Sequence, residues 1–121
     1  MSEVRVKRVY DPPAAGDGCR VLVDRLWPRG LTRDAAKVDL WLKEVAPSAS
    51  LRRWFGHDPT KWLEFQDRYQ AELMGNVALD ELLALVEGGK RVTLLFGAKD
   101  TLHNHALVLQ AICERGSRDA R

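Results

Sequence analysis

The stretch Arg20–Gly30, with the sequence RVLVDRLWPRG, carries the strongest structural signal in this chain of 121 residues. Its apolar beginning is typical of a buried β-strand over residues 20–24. From Asp24 onward the apolar run gives way at once to acidic, basic, aromatic, proline and glycine residues. Open α/β sheets bind ligands beyond the carboxyl ends of their strands. The stretch therefore predicts both a central strand and the position of a ligand site.

A second unbroken apolar run, RVTLLF at 91–96, has the same character. Around the two runs, apolar residues recur at helical spacing between glycine, proline and polar residues. We predict strands at 3–10, 20–24 and 91–96, and helices near 51–55, 59–73, 78–87 and 101–112. This alternation predicts one α/β domain over residues 3–115, in which a mostly parallel sheet is flanked by helices in three layers. The fold is expected to be Rossmann-like without a dinucleotide motif, and residues 116–121 are expected to form a flexible tail.

Two local sequence patterns are each compatible with more than one structure. Residues 38–46 fit a strand and a helix equally well, and we favour a strand that ends at Pro47. Ser48 and Ser50 are both candidates for the N-cap of the helix that follows. Thr101 is predicted to cap the last helix of the chain.

Composition places the chain among ordinary globular proteins, with 45% apolar and 30% charged residues. No apolar run approaches the roughly 20 residues that a membrane-spanning helix needs, and no secretory signal is recognisable, so we expect a cytoplasmic protein. The net charge of +2 is too small to indicate nucleic-acid binding by itself. Cys19 and Cys113 lie far apart, which favours free thiols over a disulfide framework.

The segment after the second strand, GAKDTLHNH at 97–105, is also rich in polar side chains. Because parallel strands open their carboxyl ends on one edge of a sheet, we expect the loops after both strands to lie together. A helix N-terminus at this place favours an anion, and arginine and lysine add positive charge. The predicted ligand-binding residues are Arg25, Trp27, Arg29, Lys99, Thr101 and Asn104, and the candidate acid–base residues are Asp24, Asp100 and His105. The alternative is a network of salt bridges that only holds the two turns together.

Metal and cofactor chemistry is not predicted. His103 and His105 are two positions apart, and on a helix such side chains point about 200° away from each other. We therefore expect no metal site, with His105 facing the sheet or the pocket and His103 facing solvent. No sequence motif for a cofactor is present.

Two classes of function are compatible with these residues. One is a site for a small anionic ligand that carries phosphate or carboxylate, in an enzyme or a sensor. The other is a module that binds nucleic acid or a regulatory partner through Trp27 and the basic residues of the helices. The basic residues concerned are Arg52, Arg53, Lys61 and Arg68. Such residues more often form a solvated helix face, which makes nucleic acid the less favoured partner. The residues do not indicate an oligomeric state.

Several short motifs are characteristic when taken together. They are Arg8-x-Tyr10-Asp11, LVDRLWPRG at 22–30, Ala46-Pro47-Ser48, Trp54-Phe55-x-His57-Asp58-Pro59, Phe65-x-x-Arg68-Tyr69 and the segment from Ala98-Lys99-Asp100 to Asn104-x-Ala106. Over residues 3–115 the chain resembles the YeaO-like branch of the domain-of-unknown-function 488 family. The resemblance implies a compact α/β domain of the bacterial cytosol without a settled activity.

The chain departs from longer members of that family at one place. The resemblance implies a Cys-His-Arg triplet after the last strand, where this chain has Asn104-His105-Ala106. Thiol chemistry is therefore not carried over to this sequence. Any catalysis would depend on an acid or base among the residues named above.

Overall fold

The computed structural model describes residues 3–119, with side chains from Glu3 to Arg115. Within them, four parallel strands form one sheet in the order β1-β4-β2-β3. The strands are β1 (Val4–Arg8), β2 (Cys19–Leu22), β3 (Leu40–Trp41) and β4 (Val92–Phe96). The helices are α1 (Arg33–Ala36), α2 (Ala49–Phe55), α3 (Trp62–Glu72), α4 (Val77–Glu87) and α5 (His105–Asp119). The two apolar runs form neighbouring, parallel strands in the centre of the sheet, which confirms the prediction that they are parallel, buried and either adjacent or one strand apart.

The two central strands are apolar on both faces because both faces are covered. Val21 and Leu94 pack into the larger core, which includes buried residues of α2, α3, α4 and α5. Leu22 and Leu95 face the other way, into a smaller cluster with Ala36 of α1. The sheet therefore has a thick helical layer on one face and a thin layer on the other, where loops join the single turn of α1.

Residues 38–46 form less strand than predicted. Only Leu40–Trp41 pairs with β2, and a 3₁₀ turn follows at Lys43–Val45. β2 itself ends at Leu22, so a longer β3 would have no partner to pair with. The backbone N–H of Leu42 makes the last contact, donating to the carbonyl of Leu22 at 2.9 Å.

The start of the last helix also differs from the prediction. α5 begins at His105, so the prediction that Thr101 caps it is wrong. The side chain of Asn104 takes that role, since its Oδ1 accepts a hydrogen bond from the N–H of Leu107 at 3.2 Å. The backbone of α5 continues past residue 112 to Asp119. The side chains of 116–121, where a flexible tail is predicted, lie outside the described residues.

Gly18 allows the chain to enter β2 beside β4. Its φ of +67° lies in the left-handed region, and a Cβ atom there would lie 2.4 Å from the carbonyl oxygen of Arg91. The N–H of Cys19 donates to that same carbonyl at 2.9 Å. Only glycine can bring the backbone this close without displacing the start of β4.

Both cysteines are free thiols, as predicted. Burial raises the pKa of the Cys113 thiol to about 12, and burial followed by the charge of Asp39 raises the pKa of Cys19. Neither thiol is therefore activated as a nucleophile. In the described part of the chain no helix is long and apolar enough to cross a membrane.

Candidate functional site

A cavity of about 470 Å³ opens where β2 and β4 end, between that edge of the sheet and α2. One side, here called the sheet-edge wall, is formed by Asp24 and Arg25 after β2 and by Asn104 and His105 at the start of α5. The other side, the α2 wall, carries two arginines and a histidine. They are Arg52, Arg53 and His57. Apolar and aromatic side chains, including Phe55 and Phe65, line the space between the walls. The volume falls within the roughly 300–1,000 Å³ usual for small-molecule sites.

Asp24 joins the ends of the two central strands. Its Oδ2 accepts a hydrogen bond from the backbone N–H of Gly97 at 2.9 Å. Its Oδ1 lies 3.1 Å from Nε2 of His105, and the same Nε2 lies 3.0 Å from the carbonyl of Val23. His105 thus lies both at the cavity and against the end of the sheet, where it was predicted to face one or the other. Together with Asp24 it forms a carboxylate–imidazole pair able to hold or move a proton.

Arg25 is held against the segment before α2. Its two terminal nitrogens donate to Oε1 of Glu44 at 3.0 Å and to the carbonyl of Ala46 at 3.2 Å. Glu44 is 69% exposed, so the ion pair is screened by water and contributes at most about 1 kcal/mol. The guanidinium is therefore fixed in position on the sheet-edge wall, and most of its charge remains available to a ligand.

Among residues 3–115, the two arginines of the α2 wall have no carboxylate partners. Arg52 and Arg53 lie in the last turn of α2, and their side chains make no hydrogen bond or ion pair with the described residues. Their position near the helix C-terminus is favourable for positive charge. His57 follows the left-handed Gly56 and is itself left-handed, with φ of 57°, which is uncommon for a residue with a side chain. The sharp turn brings its imidazole to the cavity.

His103 also lines the cavity, so the prediction that it faces solvent is wrong. It precedes α5 rather than lying on it, which removes the 200° divergence from His105. Its ring meets Trp62 edge-on at 5.6 Å, and its Nδ1 lies 2.9 Å from Oδ2 of Asp100. The N–H of Leu102 and then the imidazole of His103 hold the pKa of Asp100 below its ordinary value. Asp100 therefore organises the turn and is a weak base.

Trp27 lies away from the cavity. Its Nε1 donates to the carbonyl of Leu31 at 2.7 Å, and its ring meets Trp41 edge-on at 5.5 Å. The guanidinium of Arg33 covers the ring at 4.7 Å. These contacts belong to the cluster on the opposite face of the sheet. The chain leaves the cavity after Leu26, and Trp27 packs into the cluster on the other face of the sheet.

The other predicted ligand residues are only partly brought together. Arg29, Lys99 and Thr101 are exposed and do not line this cavity. The carbonyl of Arg29 accepts a hydrogen bond from the hydroxyl of Tyr10 at 2.9 Å, which fixes the backbone of that loop. Asn104 is at the cavity, but its Nδ2 is engaged with the carbonyl of Asp100 at 3.0 Å. Its amide therefore serves the structure of the turn.

Sequence reasoning missed the α2 wall. Arg52 and Arg53 were expected to be a solvated face, and nothing in their spacing distinguishes them from one. The motif Trp54-Phe55-x-His57-Asp58-Pro59 was the available signal, since it places a histidine just after a helix that is tied to the core by Phe55. Within residues 3–115 no group of three or more His, Cys, Asp or Glu side chains is arranged to hold a metal ion. The absence of a bound metal stays a prediction.

These features define a small parallel α/β protein with a cation-rich cavity at the carboxyl edge of its sheet. The chain belongs to the family described as the inactive DUF488-N3 subclade, whose model matches residues 3–120, and is thus a YeaO-like member of the domain-of-unknown-function 488 family.

Its relatives cover nearly the whole chain. It is 45% identical over 108 residues to the uncharacterized protein Rv3073c of Mycobacterium tuberculosis and, equally, to Mb3100c of Mycobacterium bovis, covering 89% of this chain and 91% of each relative. It is 43% identical over 106 residues to the uncharacterized protein YeaO of Escherichia coli K12, covering 88% and 92%. No solved structure matches the chain.

Proposed function

We propose that this protein binds a small organic anion, carrying phosphate or carboxylate, in the cavity between the sheet-edge wall and the α2 wall. The observation that carries the proposal is the charge of the lining. Its charged and titratable side chains are Asp24, Arg25, Arg52, Arg53, His57, His103 and His105. A single carboxylate thus faces three guanidinium groups, and guanidinium suits the planar, bidentate recognition of carboxylate and phosphate.

The aromatic lining supports an organic ligand over a bare inorganic ion. Phe55 and Phe65 stack on each other with their ring centroids 4.4 Å apart, and both lie at the cavity. Apolar walls with a few convergent polar groups are the usual composition of a small-molecule site. The family's description as inactive favours binding without turnover, which agrees with the lack of an activated thiol.

The proposal changes the set of ligand-binding residues. It keeps Arg25 and adds Arg52 and Arg53. It leaves out Arg29 and Lys99, whose side chains are exposed outside the cavity.

The test measures how anion affinity changes in two single variants, each of which removes one positive charge from the α2 wall. Isothermal titration and thermal shift with inorganic phosphate and a panel of small carboxylates are expected to show binding to the wild-type protein. Arg52→Gln and Arg53→Gln should each weaken it about tenfold, the equivalent of about 1.4 kcal/mol. Because both residues are exposed, the variants should unfold within about 0.5 kcal/mol of the wild type.

Arg29→Gln is the matched control, since it removes the same charge from an exposed position outside the cavity. An equal loss of affinity in Arg29→Gln would show that the anion binds elsewhere. If no small anion binds but an oligonucleotide does, with affinity that falls steeply as salt rises, the protein is a nucleic-acid-binding module instead.

A further inference from the structure

Two histidines of the cavity, His103 and His105, each have one ring nitrogen fixed against an acceptor of the protein. Nε2 of His105 lies 3.0 Å from the carbonyl oxygen of Val23, and Nδ1 of His103 lies 2.9 Å from Oδ2 of Asp100. The N–H of Leu102 and then the imidazole of His103 hold the pKa of Asp100 below its ordinary value, so this carboxylate is ionised. Carbonyl and carboxylate oxygens only accept hydrogen bonds. The hydrogen of each neutral ring therefore lies on Nε2 of His105 and on Nδ1 of His103.

The second nitrogen of each ring is the one able to take up a proton. Nδ1 of His105 and Nε2 of His103 make no hydrogen bond with the described residues, and neither is a buried unpaired atom, so solvent reaches both. Histidine is the side chain whose ordinary change of charge falls between about pH 5 and 8. The added charge is shared by the whole imidazolium ring, and both rings line the cavity.

A carboxylate lies beside each ring and favours its protonated form. Oδ1 of Asp24 lies 3.1 Å from Nε2 of His105, and Asp100 is the partner of His103. On the side of α3, the ring of Tyr69 meets His105 edge-on at 6.2 Å. Burial raises the pKa of Tyr69 well above its ordinary value, so this neighbour is uncharged. The ring that His103 meets on α3, a tryptophan, carries no charge either.

The remaining charged and titratable groups of the cavity act in the opposite direction. They are Arg25 on the sheet-edge wall and Arg52, Arg53 and His57 on the α2 wall. Like charges around one space disfavour a further positive charge there while the cavity holds no anion. A bound anion offsets this repulsion and attracts the imidazolium rings. Anion and proton therefore each favour the binding of the other, by the same factor.

We propose that anion binding in this cavity is coupled to proton uptake by His103 and His105, so that affinity rises as the pH falls from about 8 to about 5.5. This inference rests on the proposed function and names the regulation of that site. The protein then binds its ligand more tightly under mildly acidic conditions and releases it as the pH rises.

The experiment uses anions whose own charge is constant over this range. Titration calorimetry on the full chain measures the affinity for sulfate and for benzoate at pH 8 and at pH 5.5. Binding is expected to be at least tenfold tighter at pH 5.5. A pH-stat measurement at pH 6.5 follows the proton directly, and addition of the anion should consume acid.

Two substitutions remove the titrating nitrogens and keep the fixed hydrogen bonds. In His103→Asn the side-chain NH₂ takes the place of Nδ1 and can still donate to Asp100. In His105→Gln it takes the place of Nε2 and can still donate to the carbonyl of Val23. The double variant should show less than a threefold difference between the two pH values. Arg29→Gln, outside the cavity, is the control and should keep the tenfold difference.

The outcomes separate this inference from the proposed function. Anion binding with equal affinity at both pH values overturns the inference and leaves the proposed function intact. Absence of sulfate and benzoate binding overturns the inference, and absence of phosphate and carboxylate binding as well overturns both. A folded double variant that keeps the tenfold difference contradicts the inference, and so does complete loss of proton uptake in His57→Gln. If the double variant does not fold, each single variant must show reduced proton uptake, and if neither single variant folds, the pH-stat result for the wild type decides.

Discussion

Asp17 is 4% exposed, and its carboxylate lies in a hydrogen-bond network whose members do not line the cavity. It accepts hydrogen bonds from the N–H of Ala14 at 3.0 Å, from Nζ of Lys7 and from the guanidinium of Arg20. Arg20 is also buried and donates to the carbonyl of Ala36 at 2.7 Å. The network therefore ties the loop before β2 to β1 and to α1.

This network makes stability depend on pH at the acidic end. Burial raises the pKa of Asp17, but the hydrogen bonds from Ala14, Lys7 and Arg20 outweigh it and hold the pKa below the ordinary 3.8. A lowered pKa contributes stability above the unfolded value, and that stability is lost as the pH falls through the folded value. Asp17→Asn should lower the free energy of unfolding by about 3–5 kcal/mol at pH 7, since two cations lose their buried partner.

Urea unfolding at pH 7, 5 and 3 measures this effect. The difference between the wild type and Asp17→Asn should be full at pH 7 and 5 and smaller below pH 3.8. Asp67→Asn, which changes an exposed carboxylate, should cost little at any pH. A difference that stays constant down to pH 3 would show that Asp17 stabilises the fold through its shape and not its charge.

At the scale of single residues, the sequence predicted the residues of the sheet-edge wall and missed those of the α2 wall. Asp24 and His105 were found because a strand end places its polar residues at a known edge of the sheet. Trp27 was misplaced because a strand pattern shows where a strand stops, but not to which face the following loop turns. Arg53 was missed because a solvated arginine and a cavity arginine have the same spacing on a helix.

At the scale of elements, α2 positions the side chains of the α2 wall, and the N-cap of α2 stabilises this helix. Of the two candidate serines, Ser48 is the cap, since its Oγ accepts from the N–H of Leu51 at 3.1 Å. Its backbone N–H and hydroxyl also donate to the carboxylate of Glu72 at the end of α3. α2 is thus fastened to α3 at the residue where it begins.

Replacing the two serines in turn tests this assignment. Ser48→Ala should lower the free energy of unfolding by about 1–2 kcal/mol, because the cap and the hydrogen bond from the hydroxyl to Glu72 are lost together, while the bond from the backbone N–H remains. Ser50→Ala should change it by less than about 0.5 kcal/mol, since Ser50 is exposed and, among the described residues, its hydroxyl hydrogen-bonds only with the hydroxyl of Ser48, at 3.2 Å. Chemical denaturation of both variants measures the effect. Equal costs for the two would contradict the choice of Ser48.

Elements with long, regular patterns were predicted well, and short ones were not. α3 and α4 each bury an apolar stripe, which their spacing revealed, and β4 is buried throughout. β3 has only two residues. Its length depends on where β2 ends, and the sequence of β3 does not contain that information. The start of α5 depends on whether Thr101 or Asn104 lies at the cap, and both residues favour that position.

At the scale of the whole molecule, the sheet depends on β4, which pairs with both β1 and β2. A chain that ends at Lys90 keeps three strands and four helices of the described fold, but β1 then has no neighbour. Such a chain should lack a cooperative unfolding transition and near-ultraviolet circular dichroism, since the larger core is open on one side. A sharp urea transition in the fragment 1–90 would show that α2, α3 and α4 fold with β2 alone.

The strand order has a consequence for how this protein is made. A ribosome that has completed α4 has already produced β1 and β2, yet the strand that joins them has not been synthesised. The nascent chain must keep two apolar strands apart from other molecules until β4 and α5 emerge. Folding is then expected to begin only after β4 and α5 have been synthesised, and the interval before it is the period in which chaperones would be of most use.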